Sequence, residues 1–282
     1  MDNNEKMKEA VKEIYSAVSQ QSKDQNDKSL CGVGSECCGF DYTIFSEDYS
    51  NLKGYCKTAD LGVGCGIPTQ SISIKEGDCV LDLGSGAGND CFIARSLVGE
   101  KGKVIGLDFT PQMLKKAWEN CDKMNYNNVE FRFGDIEDIP VASGIIDVVI
   151  SNCVINLVPN KKKAFEEIFR VLKPTGFFSV SDVVLSKEVS EKIRSQVDLY
   201  AGCVAGAIPK NEYMEIVKSV GFDYEIKKEK EIELKKENLM KLLTEEDVDE
   251  FLKNDIHIYS ITIVGKKRVN QTSSCCTQKS CC

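Results

Sequence analysis

The stretch LDLGSGAGND at 81–90 constrains this chain more than any other: an apolar run, three alternating glycines, then a helical pattern. Glycines at 84, 86 and 88 let the backbone turn tightly and approach a ligand closely. Their spacing, GxGxG, is one residue shorter than the GxGxxG of a dinucleotide turn. Around this turn, strand and helix patterns alternate strictly. CVLDLG reads as a buried strand and AGNDCFIARSLVG as a helix closed by Gly99. KVIGLDF is a second strand, and TPQMLKKAWENCDKM a second helix with Thr110 as N-cap and Pro111 at its first position. NVEFRFGD and IIDVVISNCVI are further strands, KKAFEEIFRVLKP is a helix stopped before Pro174, and GFFSVSDVVL is a fifth strand. Such alternation implies parallel strands with helices on both faces, an α/β fold of Rossmann-like type.

The flanks are less regular. Residues 5–20 place Met7, Ala10, Val11, Ile14, Ala17 and Val18 at helical spacing, and 21–55 lose periodicity. Beyond Ser186 the pattern predicts helices around 188–200 and 210–220, a strand near 223–229 and a last strand in HIYSITIVG. The expected division is an N-terminal helix and cysteine-containing segment at 1–57 and a nucleotide-binding domain at 58–185. A C-terminal lobe with the last strands follows at 186–266, then a flexible cysteine-rich tail at 267–282.

In this architecture ligands lie at the carboxyl ends of the strands, so the acidic residues there carry meaning. Asp82 precedes the glycine turn, where a carboxylate would oppose a pyrophosphate but suit a ligand bearing a positive amino group. Asp108 ends the second strand, the position for accepting hydrogen bonds from ribose hydroxyls. Asp135 ends the third strand and can meet an adenine amino group, with Ile136 packed on the ring. Gly84, Ser85, Gly86, Gly88, Phe109, Met113 and Asn152 complete the expected set, with Tyr42 and Tyr55 of the N-terminal segment as further candidates to line the donor site. Together they point to an adenosine ligand with a cationic amino-acid arm, S-adenosylmethionine ahead of NAD.

Composition narrows the acceptor. The formal net charge is -8, so a nucleic-acid substrate is not expected. The polar start MDNNEKMKEAVKE carries no secretory pattern, and no apolar run approaches the roughly 20 residues of a membrane span. A cytoplasmic monomer is the expectation. Fourteen cysteines stand against one histidine. In a reducing compartment such thiols are packing residues, catalytic groups or ligands for soft ions. The shortage of histidine argues against hydrolytic triads and histidine-rich metal sites.

The segments EGDCVLDLGSGAGND, GKVIGLDFTPQML, NVEFRFGDIEDIPV, DVVISNCVINLVP and FRVLKPTGFFSVSDVV together resemble the arsenite S-adenosylmethionine methyltransferase family, over about 61–221. GCGIP at 64–68, SNCVINL at 151–157 and YAGCVAGA at 200–207 are the specific part of that resemblance. It implies a class I methyltransferase fold with a seven-stranded, mostly parallel sheet whose last strand is antiparallel. It also implies that Cys65, Cys153 and Cys203 bind arsenic and turn it over. A thiol reductant, thioredoxin or glutathione, would keep these cysteines reduced, and the acceptor would be arsenite or its thiol conjugates.

The chemistry suits the residues. Trivalent arsenic is soft and prefers thiolates, as soft metals do. Three sulfurs in a pyramid leave its lone pair free to face a sulfonium methyl, and in-line displacement then needs no general base. Cys153 ends the fourth strand at the crevice rim; Cys79, Cys91 and Cys121 read as packing residues. Cys37 and Cys38, with Cys31, resemble the family's additional cysteines, and the tail pairs Cys275-Cys276 and Cys281-Cys282 could chelate arsenite. Two alternatives stay open: a methyltransferase acting on carbon or oxygen of a small organic molecule, and a thiol-rich protein that sequesters arsenite or zinc without turnover.

Overall fold

The computed structural model describes residues 3–27, 46–190, 206–233, 236–240 and 244–268. The chain opens with α1 (Asn3–Val18) and a single turn, α2 (Lys23–Asn26). Then β1 (Cys79–Leu83), α3 (Asn89–Val98), β2 (Lys103–Asp108), α4 (Pro111–Met124), β3 (Val129–Phe133) and β4 (Ile146–Asn152) follow in the expected alternation. Next come α5 (Lys161–Val171), β5 (Leu172–Leu185), α6 (Lys210–Val220), β6 (Phe222–Ile232), α7 (Lys236–Leu239), α8 (Glu245–Lys253) and β7 (Ile258–Lys267).

The strands form one sheet in the order β3-β2-β1-β4-β5-β7-β6. The five strands β1 to β5 pair in parallel, and β7 runs antiparallel to both β5 and β6. This is the seven-stranded, mostly parallel sheet expected from the sequence. It reverses direction of winding at β1, whose neighbours are β2 and β4, so the crevice for a ligand opens there. β6 and β7 extend this same sheet.

Alternation along each strand divides the core. Val80, Val148 and Ile150 point to one face, against Phe92, Met113 and Ala117 of α3 and α4. Leu81, Leu83 and Val149 point to the other, against Phe165, Ile168, Tyr213 and Val217 of α5 and α6. With both faces covered, the central strands are largely buried, as parallel sheets require.

Local details differ from expectation in instructive ways. Thr110 caps α4 by position, yet its side chain makes no bond to that helix; Asp108 accepts the Thr110 backbone N–H at 2.8 Å instead. The chain leaves α5 at Val171 and enters β5 directly, with Pro174 in the irregular first stretch of the strand, where pairing with β4 shifts register. β6 is longer than its sequence pattern predicts, and α7 and α8 fall where no helix is expected. The helix expected around 188–200 falls mostly outside the described residues. No described helix is long and apolar enough to cross a membrane.

Candidate active site

The carboxyl ends of β1 to β4 converge on one crevice with two chambers. The first, about 810 Å³ counted to its open mouth, is lined by Gly84, Gly86, Asp108, Phe109, Met113, Asp135, Ile136, Asn152 and Cys153, among others. The second, about 490 Å³, is lined by Tyr49, Asp60, Asp82, Ser85, Asp90 and Asn152, among others. Val63, Gly84, Gly86 and Asn152 line both, so the chambers adjoin. Their volumes suit a small ligand.

The glycine turn is fixed by sterics. Gly84 has φ +68°, and a Cβ there would lie 2.4 Å from Cγ2 of Val154. Gly88, at φ +96°, is the left-handed N-cap of α3, and a Cβ there would strike Phe92 and Phe131. Gly88 lines neither chamber; its part is to let α3 pack close to the sheet. The Gly86 N–H donates to Oδ2 of Asp108 at 2.9 Å. Asp108 is buried, and burial raises its pKa while the N–H groups of Thr110 and Gly86 oppose the rise. A carboxylate offers about four acceptor positions, so Asp108 can still take hydroxyl hydrogens from the crevice.

Asp135 meets an unexpected partner. Lys8 of α1 donates to its Oδ2 at 2.6 Å and to Oε2 of Glu137 at 2.7 Å. Partial burial works against the Lys8 ammonium, but the two carboxylates outweigh it and raise its pKa. Val11 and Tyr15 join Lys8 along the first chamber, so α1 forms one of its walls.

The second chamber collects buried acids. Asp82 is 2% exposed and accepts the Cys91 thiol hydrogen at 3.1 Å. Burial, then the charge of Asp90, pushes Asp82 well above the usual carboxylate range. Asp90 is pushed up to about 6 by burial, against hydrogen bonds from Asn152 and Tyr49. Its Oδ2 accepts from Asn152 Nδ2 at 3.1 Å and lies 3.3 Å from Tyr49 Oη. Its Oδ1 and the Ser85 hydroxyl are shielded from water and have no hydrogen-bond partner among the described residues. Uncompensated buried polar atoms are costly, which marks the chamber as built to receive a polar, cationic group.

Cys153 lies just past β4 in the left-handed region, φ 60°, a conformation that costs a non-glycine residue on the order of 1 kcal/mol. Its N–H donates to the Ser181 carbonyl at 2.7 Å, which holds the turn. The residue is 3% exposed and lines the first chamber beside Gly84. Cys65 is 1% exposed and lines neither chamber. Its backbone is pinned twice: the N–H donates to Oδ1 of Asn152 at 3.0 Å, and the carbonyl accepts from Ser260 Oγ at 2.6 Å. Asn152 precedes Cys153 in the chain, so one side chain ties the Cys65 backbone to the end of the strand that leads into Cys153. Both sulfurs also act on the buried phenol of Tyr213, whose pKa is raised well above normal by burial, by Asp182 and then by Cys65 and Cys153.

Cys203, Cys37 and Cys38 lie outside the described residues, as do Cys31, Tyr42 and the tail cysteines. Cys91 and Cys121 are core residues, as their sequence positions predict, and Cys79 is half-buried in β1. Asp90, Tyr49 and Lys8 are absent from the sequence reading of the site. Tyr49, rather than Tyr55, lines the crevice; Tyr55 lines neither chamber and reaches the second only by donating to Asp60 in its wall. Asp90 carried a readable signal, being an acid in the first turn of the helix that follows the glycine turn.

Residues 74–245 match the family model described as "Methyltransferase domain". An arsenite methyltransferase from Halobacterium salinarum is 39% identical over 228 residues, 78% of this chain and 58% of that protein. One from Aquipseudomonas alcaligenes is 34% identical over 223 residues, 77% of this chain and 62% of that protein. Among solved structures, an arsenic(III) S-adenosylmethionine methyltransferase from Chlamydomonas reinhardtii matches with TM-score 0.63 and 35% identity, over 74% of this chain and 69% of that one. The chain thus spans about three fifths of the length of the two curated relatives. The resemblance seen in the motifs is borne out.

Proposed function

Because the chain belongs to the methyltransferase-domain family, we propose that it transfers the methyl group of S-adenosylmethionine to trivalent arsenic bound by Cys65, Cys153 and Cys203. The observation that carries this reading is Cys153: a buried thiol, held in a strained turn, in the wall of the same chamber as Gly84 and Asp108.

The crevice fits the donor. Asp82 and the unpaired oxygen of Asp90 suit its ammonium, Asp108 its ribose hydroxyls, and Ile136, Phe109 and Met113 offer apolar surface to its purine. When bound, the donor supplies an electrophilic methyl group whose bond to sulfur breaks with both electrons remaining on sulfur. The residues of this chain do the rest. Thiolates grip arsenic and direct its lone pair at the methyl carbon, and the closed crevice keeps water from the reacting pair. The new As–C bond uses that lone pair, so arsenic is formally oxidised by two electrons. Departure of two thiolates as a disulfide returns two electrons and leaves a trivalent methylarsenic cation on the third thiolate; two waters then displace that sulfur, giving methylarsonite, the free thiol and a proton. A thiol reductant, thioredoxin or glutathione, then restores the dithiol. Such chemistry needs a reducing compartment, which supports a cytoplasmic enzyme. Cys37 and Cys38 are candidates for a further thiol contact with arsenic.

The test is incubation with arsenite, S-adenosylmethionine and glutathione, followed by arsenic speciation. Methylarsenic products that vanish in Cys153→Ser support the assignment. Donor binding without any methylated arsenic rejects it, and activity on an organic acceptor that survives Cys153→Ser favours a carbon or oxygen methyltransferase.

A further inference from the structure

One amide lies between the acid chamber and the loop that carries Cys65. Asn152 is the last residue of β4, and alternation along that strand sets it on the α3 face with Val148 and Ile150. Its Oδ1 accepts the Cys65 N–H at 3.0 Å. Its Nδ2 lies 2.9 Å from the Gly66 carbonyl, 3.1 Å from Asp90 Oδ2 and 2.6 Å from Tyr49 Oη. The amide orientation follows from its partners: a backbone N–H can only donate, and a carbonyl and a carboxylate can only accept. Two hydrogens therefore serve the acceptor side, while the oxygen serves Cys65 alone among the bonds seen.

The loop is shaped to sit on this amide. A Cβ at Gly64 would lie 2.6 Å from Asn152 Nδ2, so the chain must be bare there. Tyr49 reinforces the contact by donating to the Gly66 carbonyl at 2.6 Å. Ser179 holds the Pro68 carbonyl from the sheet at 2.8 Å. At the other end of the relay, Asp90 keeps Oδ1 without a partner in the chamber wall.

We propose that Asn152 is a positioning residue that couples the two substrates, so that a cationic donor arm on Asp90 tightens the loop holding Cys65 for arsenic. This rests on the function proposed above. The physical route is short. A cation at Oδ1 stabilises the ionised form of Asp90, and a carboxylate accepts from Nδ2 about twice as strongly as a neutral acceptor does. Polarisation of the amide then strengthens its oxygen as acceptor for the Cys65 N–H. Coupling of this kind is reciprocal, so arsenic on Cys65 should also tighten donor binding.

The experiment follows the alkylation rate of Cys65 in the full chain by peptide-resolved mass spectrometry, with and without saturating S-adenosylhomocysteine. That ligand keeps the ammonium and cannot turn over; Cys121, in the core of α4, is the internal reference. In the wild type, the ligand should slow Cys65 alkylation about fivefold or more relative to Cys121, the low end of typical coupling. In Asn152→Ala and Asn152→Asp, each saturated according to its own measured affinity, the protection should fall below about twofold. The aspartate variant keeps the acceptor for Cys65 but loses both donors, so it separates loss of the relay to Asp90 from loss of the Cys65 contact. Should either variant fail to fold, Asp90→Asn breaks the same relay at its far end and should also lose protection. Absence of protection in the wild type, or full protection in every folded variant, overturns the proposal. Arsenic methylation is not read here, so failure of the coupling stays distinct from failure of the acceptor assignment.

Discussion

Donor affinity should depend on pH through Asp90. Burial pushes its carboxyl to about 6 in the ligand-free protein, well above an ordinary aspartate. An ammonium at its unpaired oxygen favours the ionised form, so binding releases a proton wherever the free carboxyl is protonated. The sign follows: affinity rises with pH through this range and levels off above it. With a pKa of about 6 and full ionisation in the complex, the ionised fraction drops from roughly nine tenths at pH 7 to one tenth at pH 5. Apparent affinity should therefore fall about tenfold, or about 1.4 kcal/mol, across that interval. Asp82 is also raised by burial and by Asp90, and its own ionisation would steepen the fall. The assay is calorimetric titration with S-adenosylhomocysteine, whose ammonium stays charged throughout, in two buffers of different ionisation enthalpy. Asp90→Asn should flatten the profile. His257, whose pKa is raised by Glu231 and Asp255, lines neither chamber, so it gives no such dependence. Equal affinity at pH 5 and 7, with no buffer-dependent heat, would refute the reasoning.

Other outcomes follow from the same coordinates. Gly84→Ala combines a left-handed backbone with a 2.4 Å clash against Val154, and thermal melting should show a loss of about 1–3 kcal/mol along with weakened donor binding. Asp182 is buried under Tyr213, and burial pushes its carboxyl to about 7. The folded state therefore holds this proton between about pH 4 and 7, where the unfolded chain gives it up. Its contribution to stability thus declines as pH rises through that window, by at most about 1.4 kcal/mol per pH unit. Asp182→Asn should remove that slope in pH-dependent denaturant melts. Cys121→Ala, in the core of α4, should cost about 1 kcal/mol in denaturant melts while arsenic methylation persists.

Much of this molecule is legible in its sequence because local rules and tertiary demands agree. Thr110-Pro111 opens α4, Gly99 closes α3, and burial on both faces gives β1 and β4 the apolar stretches Val80-Leu81 and Val148-Val149-Ile150. Asp82, Asp108 and Asp135 could be assigned to the crevice because each sits at or beside the carboxyl end of a strand. Elsewhere the signal thins. β6 is an edge strand, and the charges of its IKKEKEI stretch, which discourage edge pairing, also hide its length. α8 shows only Val248 and Phe251 on its buried face amid acids, too few apolar positions to display a period. Tyr49 and Lys8 reach the site only through packing of irregular or N-terminal chain, which no spacing reveals. The pinning of Cys65 by Asn152 is likewise a long-range contact, visible only once β4 and the 61–68 loop are side by side.

The central claim concerns sulfur. X-ray absorption at the arsenic edge, on the wild type loaded with one equivalent of arsenite and S-adenosylhomocysteine, tests it most directly. Three sulfur neighbours at about 2.3 Å, close to the zinc–thiolate distance, are expected, with oxygen replacing sulfur in Cys65→Ser and in Cys153→Ser. An arsenic shell of oxygen atoms in the wild type, or a sulfur shell unchanged by either substitution, would contradict it.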